Sequence, residues 1–391
     1  MLIDHAIWWH VYPLGAVGAP IHDPDEPGEH HRLRRLEAWL YYAIDLGCSG
    51  LLLAPIFASA SHGYDTLDYF RIDPRLGDDA DFDHLVAAAR DRGLMVMLDG
   101  VFNHVGREHR LAASLGTSAA WEGHESLTEL DHANPAVADL VVEVMTHWLR
   151  RGIVGWRLDV AYAVPAEFWQ AVLPRVRAEF PDAVFLGEVI HGEYDQILSE
   201  TSLDSLTQYE LWKAIWSSLH DANFWELAWT LERHDAFSRE HVLNTFVGNH
   251  DVDRIASLVG DDGAALAAVL LLTLPGMPSI YYGDEQGFRG TKTEGFRADD
   301  PLRPELPADP SELAGVGRWL FDLHQDLIGL RRRHSWLTRA RVGVLDKQNE
   351  WITYECVGGP GERLEVEIRL DPVASARVQV DGGETFTWSA G

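Results

Sequence analysis

Short apolar runs, each followed by a helix-length amphipathic segment, recur along most of this 391-residue chain, and that alternation restricts its fold more than any other feature. The runs are "AIWWHVY" (6–12), "GLLLAPI" (50–56), "LMVMLDG" (94–100), "IVGWRLDV" (153–160), "AVFLGEV" (183–189), "SLDSLT" (202–207), "VLNTFVG" (242–248) and "PSIYYG" (278–283). Between them, segments such as "DDADFDHLVAAARDRG" and "NPAVADLVVEVMTHWLRRG" repeat apolar residues at three- and four-residue spacing. That is the period of a half-buried helix. Pro or acidic residues open these segments and Gly tends to close them. Strand followed by helix, eight times over, predicts parallel βαβ units closing into a (β/α)8 TIM barrel, an α/β fold. The competing architecture is an open doubly wound sheet, which wants an early glycine-rich phosphate turn that the chain lacks.

From about Leu337 the pattern changes. "RARVGVLD", "EWITYECVG", "RLEVEIRL", "ARVQVDG" and "ETFTWSAG" are β-rich pieces broken by Gly, Pro, Asp and Asn. The expected domains are therefore a catalytic barrel over 1–335, with a short insertion at about 105–130, and a small antiparallel β domain over 336–391. Residues 289–310, rich in Gly, Pro and charge, read as a long loop after the eighth strand.

Bulk properties narrow the partners. The net charge is −29, from 61 acidic and 32 basic residues. Nucleic acid and anionic membranes select basic surfaces, so neither is expected as a partner. Cys48 and Cys356, the two cysteines, read as buried free thiols rather than a disulfide or zinc framework. No run reaches the ~18 apolar residues of a membrane span, and "MLIDHAIWWHVYP" has no leader pattern, so a cytoplasmic location is expected. The sequence carries no signal for an oligomeric state.

In a barrel of this kind the strand C-termini form the active site. Asp159, Glu188 and Asp251 each follow an apolar run. A lone Asp there usually caps the next helix. Three carboxylates with Arg and His companions point instead to one shared mouth. A pair of carboxylates in different surroundings suits glycoside cleavage. Arg157 lies two residues before Asp159, so on a strand both face the same way, and its charge favours an anionic Asp159 as nucleophile. Glu188 follows the more apolar "VFLG" and suits a proton-holding acid/base. Asp251 is then the third carboxylate, able to bind two sugar hydroxyls and to favour the proton on Glu188 by repulsion.

These residues sit in segments that resemble the α-amylase family of retaining glycoside hydrolases. "DGVFNHV" (99–105) is similar to that family's first signature, "GWRLDVA" (155–161) to the second, "GEVI" (187–190) to the third and "FVGNHD" (246–251) to the fourth. "HGYDTLDYFRIDP" (62–74) and "PGMPSIYYGDE" (275–285) resemble further family segments. The resemblance implies that Asp159 is the nucleophile, Glu188 the acid/base and Asp251 the transition-state stabiliser. It implies that Tyr64 stacks on the sugar in subsite −1, and that His104, Arg157 and His250 bind it. It further suggests that Asp65 pairs with Arg303 and that Asp300 and Arg303 belong to a subsite −1 loop. Trp121 and Trp225 fall in rim segments where an indole stacks on distal sugars.

The nearest look is to neopullulanases, cyclomaltodextrinases and maltogenic amylases. Three departures qualify it. Strand one starts almost at once, so their extra N-terminal β domain is not expected here. The protruding domain is cut to about Val105–Leu130. Asn103 matches a calcium-ligand position, but partner ligands from that domain cannot be assigned, so a polar turn role is expected, with no cofactor, and calcium is the alternative. Finally, Tyr162 and Ala163 stand where many endo-acting amylases have Lys-His. The expected substrates are therefore short α-linked gluco-oligosaccharides. Two other readings are a catalytically silent carbohydrate-binding relative and a metal-dependent barrel hydrolase. The three carboxylates argue against the first. The second wants HxH or HExxH spacing, which His30, His31 and the other histidines do not show.

Overall fold

In the computed structural model, which describes residues 2–23, 30–295 and 297–391, every one of the eight apolar runs holds a strand. These are β1 (Trp8–Val11), β2 (Gly50–Leu53), β3 (Met95–Gly100), β4 (Gly155–Leu158), β5 (Val184–Gly187), β6 (Ser205–Leu206), β7 (Asn244–Thr245) and β8 (Met277–Tyr281). All pair in parallel, in the order β6-β5-β4-β3-β2-β1-β8-β7. A parallel bridge from Thr207 to Asn244 joins β6 to β7 and closes the ring. The strands are buried on both faces, as the near-continuous apolar runs require.

The ring of helices comprises α1 (Leu40–Leu46), α2 (Asp79–Asp91), α3 (Pro135–Arg150), α4 (Ala166–Arg177), α5 (Tyr194–Thr201), α6 (Tyr209–His220), α7 (Trp225–Phe237), α8 (Ile255–Thr273) and α9 (Arg318–Arg333). Local chemistry sets their starts. Asp78 and Asp81 form a reciprocal capping box on α2. Asn134 caps α3, with Pro135 preset at its first position. Against the sequence expectation, α8 is long and apolar enough to cross a membrane by length and composition. The reason is its place: packed between α6 and α9 in the outer ring, it is buried on nearly every side.

The C-terminal strands β9 (Arg341–Lys347), β10 (Trp351–Val357), β11 (Arg363–Arg369), β12 (Ser375–Val380) and β13 (Thr385–Ser389) form one antiparallel meander in chain order. β9 packs on α7. Cys48 and Cys356 are free and buried, and burial pushes both thiols up from their ordinary range. Within 105–130, His104–Gly106, Gly116–Ala120 and Leu127–Leu130 make a small three-stranded antiparallel sheet over the mouth.

One side chain locks the loops that carry the far wall of the mouth. Arg254, fully buried before α8, donates to Tyr282 O (2.9 Å), Asp284 Oδ1 (2.8 Å) and Leu302 O (2.9 Å). It thus ties the loops after β7 and β8 to the segment that bears Arg303. Asp284 in turn sits so close to Gly248 that a Cβ there would lie 2.2 Å from Asp284 Oδ2. Replacing Arg254 by Met should leave the Asp284 carboxylate buried and unpaired, and lower the unfolding free energy by about 3–5 kcal/mol in urea titration. A cost below about 1 kcal/mol would show that the loops are held elsewhere.

Candidate active site

The strand ladder delivers the carboxylates to one level. Asp99 is the second-last residue of β3 and pairs with Arg157 on β4. The ladder continues one step beyond the strands, with Asp159 N–H on Gly100 O (3.1 Å) and Glu188 N–H on Leu158 O (2.9 Å). Asp159 and Glu188 are therefore neighbours at the top of adjacent strands. Arg157, two residues below Asp159, points into the same space. Its guanidinium reaches three carboxylates: Nη1 lies 2.5 Å from Asp99 Oδ2 and 3.3 Å from Asp159 Oδ1, and Nη2 lies 2.6 Å from Glu188 Oε1. All four side chains are buried.

This changes the electrostatics expected of Asp159. The sequence reading has Arg157 keeping it anionic. In the structure Arg157 leans on Asp99 and Glu188, and Asp159 receives the longest contact. Burial, then repulsion from Glu188, push Asp159 well above the usual carboxylate range, against the pull of Arg157. Burial likewise raises Asp99 to about 6, despite Arg157 and His250. Asp159 therefore favours its neutral form more in the open site than the sequence reading has it.

Glu188 is enclosed by donors. Oε1 also accepts from Tyr209 Oη–H (3.0 Å), and Oε2 accepts from the Val160 N–H (3.1 Å). Val160 has φ 49°, an unusual conformation for a β-branched residue. The left-handed turn directly after Asp159 is what turns its N–H to the neighbouring carboxylate.

The opposite wall comes from the loops after β2, β7 and β8. Tyr64 donates to Asp99 Oδ2 (2.9 Å), and its ring stacks on His250 with centroids 5.1 Å apart. His250 Nε2 lies 3.0 Å from Asp251 Oδ2. Arg303 binds Asp251 Oδ1 (3.1 Å) and His250 O (3.0 Å), with its guanidinium 4.5 Å over the Tyr12 ring. Burial alone would raise Asp251, but His250, then Arg303 and Arg157, outweigh it and hold the carboxyl far below its usual range.

Two expected placements are corrected here. Asp65 does not meet Arg303; the Ser61 N–H (3.0 Å) and hydroxyl (2.5 Å) occupy its carboxylate, so it shapes the Tyr64 loop. Asp300 faces away towards His22 (2.7 Å) and Arg297 (2.6 Å), and the preceding Asp299 takes the Arg303 contact (3.2 Å). The short 3-10 turn Asp300–Leu302 rotates successive side chains by about a third of a turn, which reverses their roles.

His104 Nε2–H donates to Tyr64 O (3.1 Å), and the ring stacks flat on Trp121, at 5.8 Å and 10°. Burial lowers it to about 4. The insertion thus supplies Trp121 to the mouth, as expected. Trp225 is elsewhere: its indole donates to Asn349 (3.0 Å) under Lys347, beside the C-terminal sheet. Asn103 places Nδ2 3.2 Å from His104 Nδ1, and its Oδ1 is buried without a partner. Calcium takes six to eight oxygens. The adjacent carbonyls of Phe102 and Asn103 already accept from His132 and Leu130. Among the described residues the only grouping of three metal-capable side chains is His31, Asp78 and Asp81, at the cap of α2.

Comparison with known proteins agrees with this arrangement. Residues 33–120 and 120–308 match the α-amylase catalytic domain. The chain belongs to the α-amylase family. It is 31% identical to a cyclomaltodextrinase of Geobacillus thermopakistaniensis, over 90% of this chain and 66% of that protein. It is 31% identical to neopullulanase 2 of Thermoactinomyces vulgaris, over 78% of this chain and 56% of the relative. The chain therefore spans about two thirds or less of these relatives. In fold it superposes on a cyclic α-maltosyl-(1→6)-maltose hydrolase from Arthrobacter globiformis with TM-score 0.82, at 24% identity, covering 100% of this chain and 99% of that one.

The strained turn after Asp159 yields a measurable expectation. Gly adopts positive φ without the Cβ clash. Val160→Gly should raise stability by about 1 kcal/mol in urea unfolding while keeping the N–H to Glu188. A loss of stability would mean that Val160 packing outweighs its backbone strain.

Proposed function

We propose that the chain is a retaining α-glucoside hydrolase acting on short α-linked gluco-oligosaccharides. One observation carries this reading: the Arg157 guanidinium binds Asp99, Asp159 and Glu188 together, and Asp251 faces them from the opposite wall. In the first half-reaction Asp159 attacks the anomeric carbon while Glu188 gives its proton to the departing glycosidic oxygen. Glu188 must carry a proton at that moment. Positive charge growing at the anomeric carbon favours an anionic Asp159. Asp251, kept anionic by His250 and Arg303, is suited to grip two hydroxyls of the same sugar. In the second half a water, or a sugar hydroxyl in transglycosylation, replaces Asp159 and gives its proton to Glu188.

Substrate length follows from the wall around this centre. The compact 105–130 sheet offers Trp121 but little further surface, and Tyr162 and Ala163 provide no cationic clamp on distal sugars. Remote contacts raise catalysis only where they are made. Long starch should therefore gain little over maltotriose.

These statements lead to two experiments. Asp159→Asn should lower turnover of maltotriose by several orders of magnitude with binding preserved, and NMR of the wild-type product should show the α-anomer first. A β-anomer first, more than a tenth of activity left in the variant, or starch turned over more than about tenfold better than maltotriose, would overturn the reading. Prolonged chelation should leave activity intact, because Asn103 lacks partner ligands; a loss reversed by calcium alone would assign the orphan Asn103 oxygen to a metal.

A further inference from the structure

We infer that Tyr209, oriented by Asn249, holds Glu188 as the general base of the second half-reaction. The inference rests on the double displacement proposed above.

Asn249 fixes the direction of the network. Its Oδ1 accepts the Asp251 N–H at 2.9 Å, which settles which end of the amide is the oxygen. Its Nδ2 therefore faces the Tyr209 phenol oxygen, at 2.8 Å. An amide NH2 only donates. It takes a lone pair of the phenol and leaves the phenol proton to Glu188 Oε1, 3.0 Å away. Tyr209 and Asn249 are both buried, and the Tyr209 ring is held edge-on by Phe246 (4.8 Å) and Trp212 (5.7 Å). The phenol has little freedom to turn and accept instead.

The remaining charged groups facing Glu188 and Tyr209 are Arg157, Asp159, Asp99 and Asp251. Arg157 is shared among three carboxylates. Tyr209 gives its proton to Glu188 alone. A donor aimed at a carboxylate favours its charged form. That is of no help while Glu188 must keep a proton for the leaving group. It helps once Glu188 is anionic, on the glycosyl-enzyme. There a water oxygen bonds to the anomeric carbon, the bond to Asp159 breaks with its electron pair returning to Asp159, and the water proton passes to Glu188.

The test uses 4-nitrophenyl α-maltoside, whose phenolate leaves without a proton. In Tyr209→Phe, kcat should fall about tenfold with KM falling in step, so that kcat/KM changes less than about twofold. A burst of nitrophenolate should appear, azide, which needs no base, should restore most of kcat, and the acid limb of the kcat–pH profile should move up by about one unit. Asn249→Asp offers a second, near-isosteric variant: its carboxylate attracts the phenol proton away from Glu188, and the same selective loss of kcat should follow. Equal losses in kcat and kcat/KM, with no burst and no azide rescue, would overturn the inference. Failure of the underlying mechanism is told apart in the wild type, which would then release the β-anomer first.

Discussion

A guanidinium buried at the floor of the mouth is the contact on which the rest of the site depends. Arg157 is the cation common to Asp99, Asp159 and Glu188, and none of these side chains is open to water. Removing a partner from such a set leaves charges that nothing solvates, which is more costly than the set itself is stabilising. The (β/α)8 ring makes the set possible. Three adjacent strands end at one level, so residues far apart in sequence come within reach of one side chain. A single residue of register change would turn Asp159 or Arg157 to the outside of the barrel.

The charge balance of the mouth is deliberate in its sign. Asp99, Asp159, Glu188 and Asp251 face two guanidiniums, Arg157 and Arg303. The raised Asp159 carboxyl, which favours its neutral form, offsets part of the excess. What remains is a field that favours a cation at the centre, as the proposed glycoside cleavage requires. Such charge is fixed before the reaction and need not reorganise during it. The chain's overall −29 is a separate matter, since most of it lies on the solvated surface.

Much of this was legible in the sequence, for reasons that can be named. The eight strands read clearly because barrel strands are buried on both faces and appear as unbroken apolar runs. Asp159, Glu188 and Asp251 stood out because each lies at or just past the end of such a run. Local pattern failed where the partner lies on another element. Asp99 sits inside the quoted "DGVFNHV", yet only the β3–β4 register shows that it faces Arg157. Tyr209 opens α6, where its aromatic side chain looks like any helix-packing residue. Asp299 and Asp300 are adjacent, and only the turn geometry decides which meets Arg303. The same gap explains Asp159: its own strand offers Arg157, but burial in the closed ring, and then repulsion from Glu188 at the end of β5, raise it.

The two halves of the mouth differ in how they are held. The Asp99–Asp159–Glu188 half hangs from strand ends and inherits the rigidity of the backbone ladder. The Asp251–Arg303 half hangs from loops and depends on side chains, with Arg254 joining the loop after β7 to two stretches of the loop after β8 from behind. Asn249 is the link between the halves. Its oxygen holds the Asp251 backbone and its nitrogen holds Tyr209, which reaches Glu188. A small shift of the β7 loop is thereby felt at both Asp251 and Glu188. Sequence adjacency in "GNHD" puts residues with three different tasks on one tight segment, so the loop moves as a unit or not at all.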